Sequence, residues 1–181
     1  MGPNDFDPKF DLSGLVAQMV AQTAVQIYRL LVAFKVIPVD FQGESTLSMD
    51  DKHRITIPQK VRDGIVASCA GQLTLVRDPV GCLMLYPRPA WQVKKQEIMD
   101  WPMSARDWQR IFMGGAEDVE LDSAGRIAVK QELKEWGGIG KKILLRGAGR
   151  YYELWDADTW RAREKAVVAK GMPPELASVK F

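Results

Sequence analysis

Residues 43–57, GESTLSMDDKHRITI, align without gaps on residues 115–129, GAEDVELDSAGRIAV, at a constant offset of 72. Gly43 meets Gly115, Asp50 meets Asp122, and Arg54 meets Arg126. An internal repeat on this scale means that one supersecondary unit occurs twice, and a reading that overlooked it would misassign the fold. In each copy apolar residues alternate on either side of a polar turn: Leu47, Met49, Ile55 and Ile57 in the first, Val119, Leu121, Ile127 and Val129 in the second. Period-two alternation around a short polar turn predicts a β-hairpin.

The correspondence continues downstream. Leu73 and Leu75 fall on Ile143 and Leu145, and Leu85, Tyr86 and Trp91 fall on Leu154, Trp155 and Trp160 at an offset of 69. Each copy therefore runs hairpin, short helix (about 58–66 and about 130–136), Gly-containing loop, second hairpin, and a helix bearing a tryptophan. A single copy would leave strand edges open and bury too small a core to stand alone, so the two copies are expected to interlock through their strands. The predicted class is α+β, with tandem hairpin/helix modules related by a pseudo-twofold axis. The organisation read from the sequence is an extension at 1–40, a first repeat at 41–91, linker helices at 92–112, a second repeat at 113–160 and a C-terminal helix and tail at 161–181. Whether hairpins are swapped between copies does not follow from the pattern.

With 181 residues and 46% hydrophobic side chains, the chain is long and apolar enough for a real core. A net charge of +2 excludes a protein that coats nucleic acid by bulk charge, so any DNA contact must be local. Cys69 and Cys82 lack a second cysteine or a histidine at metal-ligand spacing, which predicts reduced core residues with no metal and no disulfide framework. Residues 12–37 are apolar yet interrupted by Gln18, Gln22, Gln26, Arg29 and Lys35, so they do not read as a clean membrane span. The start carries Asp5, Asp7 and Asp11 rather than a basic region, which is unlike a secretory signal. A cytoplasmic protein is expected, and residues 1–40 read either as an amphipathic extension or as the product of an upstream start, with the natural start near Val39.

The two turns differ in charge. Residues 43–62 carry Lys52, Arg54, Lys60 and Arg62 and sum to +1, whereas residues 115–134 sum to −2. In the second turn Gly125 can take a positive φ at no steric cost; the first has His53 there. On the plainest reading both Asp-x-x-x-Arg pairs are structural turn devices. The functional reading is that a fixed turn presents arginine to a major groove, where a guanidinium can fork onto guanine O6 and N7. Phosphate contacts supply much of the affinity for DNA, so the charge balance selects the first copy as the DNA face, and the second is expected to serve fold and assembly. Repeated copies in an oligomer would add avidity.

The segments FQGESTLSMDDKHRITIPQKVRD, LTLVRDPVGCLMLYP, VELDSAGRIAV and YYELWD together resemble the MraZ family over about residues 41–163. The duplicated turn, Arg77-Asp78-Pro79 and Glu153-Leu154-Trp155 stand in that family's order. The resemblance implies an AbrB-like swapped-hairpin barrel with flanking helices. It also implies a closed homo-oligomeric ring that binds short G-rich direct repeats in double-stranded DNA upstream of the division and cell-wall gene cluster, and a nucleoid location. Carried over by position, Arg54 is the DNA-reading arginine, Asp50 its motif partner and Lys52 the accompanying base; His53, Lys60 and Arg62 complete the expected DNA face, and Asp122 and Arg126 match the second turn. His53 departs from the family's usual glycine.

His53 is the only histidine and has no partner for nucleophilic catalysis, so no catalytic residue, cofactor or small-molecule substrate is expected. Gly137-Gly138-Ile139-Gly140-Lys141-Lys142 lacks the hydroxyl residue of a phosphate loop and reads as a loop before a strand. The six tryptophans have core-like spacing. Two other functions stand beside regulation: an AbrB-like antitoxin, and a structural or interaction protein whose leader contacts a membrane.

Overall fold

The computed structural model describes residues 41–176 and 179, with positions 13, 14, 16, 18–20, 22, 23 and 27 helical in the leader. Most of the leader, and with it both readings of residues 1–40 and the membrane-contacting alternative, lies outside the described residues. The unit Val39–Phe181 is described here by itself.

Its elements are β1 (Glu44–Ser48), β2 (Arg54–Thr56), α1 (Gln59–Cys69), β3 (Gln72–Arg77), β4 (Leu83–Pro87), α2 (Arg88–Met99), α3 (Arg106–Gly114), β5 (Glu117–Glu120), β6 (Arg126–Ala128), α4 (Gln131–Trp136), β7 (Lys142–Gly147), β8 (Tyr152–Asp156) and α5 (Ala157–Lys170). Both copies contribute strand, turn, strand, helix and a second pair of strands in the expected order. The α+β class and the tandem duplication are as the sequence predicts.

The expected first hairpins take a different form. β1 and β2 share only the Met49–Ile55 bridge. Instead β1 pairs antiparallel with β7 of the second copy, β5 pairs with β3 of the first, and β2 pairs with β6. The result is a six-stranded sheet in the order β1-β7-β8-β4-β3-β5 and a separate two-stranded ribbon, β2-β6. Exchanging the two copies reverses that order onto itself, so the pseudo-twofold axis passes between β4 and β8. Swapping covers the edges that a lone copy would expose, because each copy's first strand lies along the other's second hairpin.

The sheet is buried on both faces. Leu73, Leu75, Leu83, Leu85, Ile143, Leu145 and Leu154 point toward the ribbon and the helices α1 and α4, joining Ile55, Ile57, Ile65, Ile127, Val129 and Leu133 in the main core. On the opposite face Val76, Met84 and Tyr86 pack under Trp91 and Ile98 of α2, while Leu144 and Trp155 pack under Ala157 and Trp160 of α5. This is why strands such as LTLV and CLMLY are apolar at nearly every position: alternate residues belong to different cores. Cys69 and Cys82 are both buried and unpaired. Among the tryptophans, Trp91 and Trp155 are core residues, but Trp108 is 45% exposed.

Helix α1 runs one turn beyond its expected end near Val66. The added turn brings Cys69 onto the main core, and the helix then stops on Ala70, whose φ of 53° places it in the left-handed region. Helix α5 begins on Asp156, whose Oδ1 accepts the Thr159 amide at 3.0 Å.

One close approach locks the sheet edge. Phe41 and Gly149 exchange backbone hydrogen bonds of 2.9 and 3.0 Å, and the Phe41 ring stacks on Tyr152 with centroids 4.4 Å apart. A Cβ on Gly147 would overlap the Phe41 carbonyl and the Gln42 nitrogen, both backbone atoms that cannot swing away. Gly147→Ala is therefore expected to lower stability by about 1–3 kcal/mol. Gly64, inside α1 with open space around it, is the converse case, and Gly64→Ala should raise stability by roughly 0.5–1 kcal/mol. Urea denaturation midpoints of the two variants check both signs.

Candidate nucleic-acid interface

The site starts with two carboxylates. Asp50 Oδ1 accepts the backbone N–H groups of Lys52 and Arg54, each at 2.9 Å, and so closes the turn. Its Oδ2 accepts Arg54 Nε at 2.9 Å and Nη2 at 2.8 Å. In the second turn Asp122 Oδ1 accepts Ala124 N and Arg126 N at 2.9 Å, and Oδ2 accepts Arg126 Nε and Nη2 at 2.8 Å. The Asp-x-x-x-Arg spacing thus has one mechanical meaning in both copies. One oxygen shapes the backbone and the other immobilises the guanidinium by its Nε/Nη2 edge, so that Nη1 and the second N–H of Nη2 are the donors left over at the tip, with no partner among the described residues.

His53 occupies the position of Gly125 and adopts the same left-handed backbone, with φ of 54° against 72°. The turn is therefore the same shape in both copies, at a cost for His53 on the order of 1 kcal/mol.

The ribbon sets the two arginines on one face, at diagonally opposite ends. Ile55 lies opposite Ile127, Arg54 opposite Ala128 and Thr56 opposite Arg126. Because side chains alternate along a strand, the two isoleucines enter the core while Arg54, Thr56, Arg126 and Ala128 share the other face. Flanking bonds extend the ladder, Val129 N to His53 O at 2.8 Å and Ile57 N to Gly125 O at 2.9 Å. The charges of the two turns also meet. Arg126 is pushed above the ordinary arginine range chiefly by its bond to Asp122, with a further contribution from Asp50 of the other copy.

The swap redistributes the basic residues expected at the first turn. Lys52 and His53 belong to the first turn itself, but α1, which carries Lys60 and Arg62, starts at the second turn: Ile57 N donates to Gly125 O at 2.9 Å, and the Arg62 guanidinium lies where a Cβ on Gly125 would collide with it. The first turn receives its neighbours from the second copy: Met49 N donates to Lys141 O at 3.0 Å, and Lys134, Gly140 and Lys141 line a groove beside Asp50, Asp51 and His53. Charge summed along each copy's sequence therefore does not describe the charge around each turn. Repeat alignment alone missed Lys134 and Lys141; the signal lies in adding the swap, which sends residue 134 to the turn opposite the one served by residue 62. Among the described residues, Lys52, Lys60, Arg62, Lys134 and Lys141 make no ion pair.

No group of His, Cys, Asp or Glu among the described residues could hold a metal ion, and none of the described helices is long and apolar enough to cross a membrane.

The family described as "MraZ protein, putative antitoxin-like" matches this chain twice, over residues 41–111 and 112–171. The chain belongs to the MraZ family. It is 47% identical over 141 residues to the transcriptional regulator MraZ of Janthinobacterium sp. (strain Marseille), covering 78% of this chain and 99% of that protein. The transcriptional regulators MraZ of Herminiimonas arsenicoxydans and Paraburkholderia xenovorans (strain LB400) are each 45% identical over the same length and shares. The two matched segments divide inside α3, and each contains one Asp-x-x-x-Arg turn. The MraZ repeat is thus the unit that the swap interlocks.

The bonds at the turns give a pH dependence. The Arg54 side chain, then its backbone N–H, hold the Asp50 carboxyl at about 2, below the ordinary 3.8. Asp122 is lowered by the same contacts from Arg126. A carboxyl with a depressed folded-state pKa contributes stability that is complete above its unfolded value and vanishes as pH falls through the folded one. Both turns should therefore hold unchanged at neutral pH and loosen on acidification from about pH 4 to about pH 2. Urea titrations across that window should show wild type losing its advantage over Asp50→Asn, and an unchanged gap would contradict the assignment.

Proposed function

We propose that this chain is a sequence-specific DNA-binding transcriptional regulator and that Arg54 reads the DNA. The observation that carries the proposal is the Asp50 grip on Arg54 through the Nε/Nη2 edge, which presents the Nη1/Nη2 end from the outer face of a two-stranded ribbon. That end is the fork that matches guanine O6 and N7, and two-stranded ribbons fit the major groove. Holding the guanidinium before DNA arrives lowers the ordering cost of the contact.

Arg126 is held in the same way, so the surroundings distinguish the turns. The first has Lys52 where the second has Ala124, and the first lies beside the uncommitted Lys134 and Lys141. In this reading Asp50 positions Arg54, His53 completes the turn and Lys52 faces a phosphate, while Lys60, on the helix that starts at the second turn, faces a phosphate there. Arg62, lying on the second turn, supplies positive charge beside Arg126. Asp122 and Arg126 keep the second turn folded and serve assembly. The family resemblance supports the finer expectations. These are promoter-proximal direct repeats upstream of the chain's own operon in the division and cell-wall cluster, a closed homo-oligomeric ring, and a cytoplasmic, nucleoid-associated location without enzymatic activity. The antitoxin-like character ascribed to the family favours one second reading, an antitoxin. It would gain support if a neighbouring gene product arrested growth and this chain relieved the arrest.

Arg54→Ala should weaken binding to the protein's own upstream DNA by roughly ten- to a hundredfold, the scale of a lost bidentate base contact, with the oligomer unchanged by light scattering. Arg126→Ala should cost less. Gel shifts with both variants measure this, and undiminished binding by Arg54→Ala would refute the role given to that arginine.

A further inference from the structure

The two turns are alike in backbone and in their Asp–Arg pairs, yet their flanks differ. Across the pseudo-twofold axis, Arg62 and Lys134 are equivalent, as are Gly125 and His53. Beside the second turn the Arg62 guanidinium fills the space over Gly125, and Leu121 N is bonded to the carbonyl of Gly71, a residue without a side chain. Beside the first turn the corresponding space is an open groove of about 350 Å³, lined by Asp51, His53, Lys134, Gly140 and Lys141. There the backbone bond equivalent to that of Gly71 is made by Lys141, so that a lysine stands in the groove wall where the second turn has a residue without a side chain.

We propose that this groove is a binding site for a phosphate of the DNA backbone, with Lys134 and Lys141 of the second copy as its cationic ligands. The inference rests on the reading of Arg54 as a DNA-contacting residue and adds the contacts that would set its position along the strand.

Charge and bonding in the groove support an anionic occupant. Asp50 is committed: its two oxygens accept four N–H groups from Lys52 and Arg54. Asp51 is exposed and is the one carboxylate of the groove wall with no bond among the described residues. Two ammonium groups, neither in an ion pair among the described residues, therefore stand against one carboxylate. The His53 imidazole adds a donor that a phosphate oxygen can use. Its backbone carbonyl is bonded to Val129, so the ring hangs from a fixed point. Arg54 starts in the same turn. A base-reading guanidinium with phosphate-binding cations beside it is the division of labour expected of DNA contacts, in which phosphate bonds fix register and base contacts carry sequence. The swap means that both copies must be folded together for the site to exist, since the turn comes from one and the lysines from the other.

The test is fluorescence anisotropy with full-length protein, using a duplex of its own upstream region and an unrelated duplex, across a salt series. Each phosphate contact contributes about 0.9 to the slope of log affinity against log salt. The double variant Lys134→Gln/Lys141→Gln should lower that slope on both duplexes by about 1.8 for each protomer in contact with the DNA and leave their affinity ratio unchanged. Between roughly 50 and 200 mM salt it should lose about tenfold less affinity than wild type per contacting protomer. Asp51→Asn, which removes the opposing charge, should tighten binding to both duplexes at low salt. Wild-type binding with an undiminished slope in the double variant overturns the groove assignment alone. Failure of the wild type to bind any duplex overturns this assignment together with the reading it rests on.

Discussion

The structure depends on the short antiparallel pairing of β2 with β6, at whose centre Ile55 faces Ile127. Each strand has three residues and could not hold a sheet by its hydrogen bonds alone. What holds it is that both isoleucines are excluded from water and packed against the larger sheet beneath. Once these strands pair across the pseudo-twofold axis, their turns must emerge at opposite ends of the ribbon, each beside the helix of the other copy. The swapped partners of β1 and β5, the shared core and the mixed parentage of each turn's surroundings all follow.

The repeat is symmetric where it must fold and asymmetric where it meets solvent. Asp50 and Asp122 do identical work, and even His53 submits to the left-handed conformation that Gly125 adopts freely. Around them the side chains diverge: Lys52 against Ala124, Lys134 against Arg62, Lys141 against Gly71. The outer face of the sheet diverges too, with α2 and α3 over the first copy's strands and α5 over the second's. A duplicated fold can accept such differences because the residues that close the core are not those that line the turns.

How far the fold was legible depended on which forces act locally. The turns could be read because an aspartate four residues before an arginine makes its bonds within the segment itself, as both copies show. The order of strands and helices could be read from apolar spacing and from the offset between copies. The hairpin expectation for β1 and β2 went astray because alternation reports which face is buried and says nothing of which strand lies alongside. The end of α1 moved to Cys69 because a core contact, absent from local pattern, rewarded one more turn.

By itself, then, the sequence determined the duplicated α+β unit, the paired Asp-x-x-x-Arg turns and the burial of Ile55, Ile57, Ile127 and Val129, since these rest on short-range bonds and period-two burial. Only the tertiary structure decided which copy stands beside which turn. It moved Arg62 to the second turn and brought Lys134 and Lys141 to the first, because strand exchange covers the exposed edges and so carries each helix across the axis.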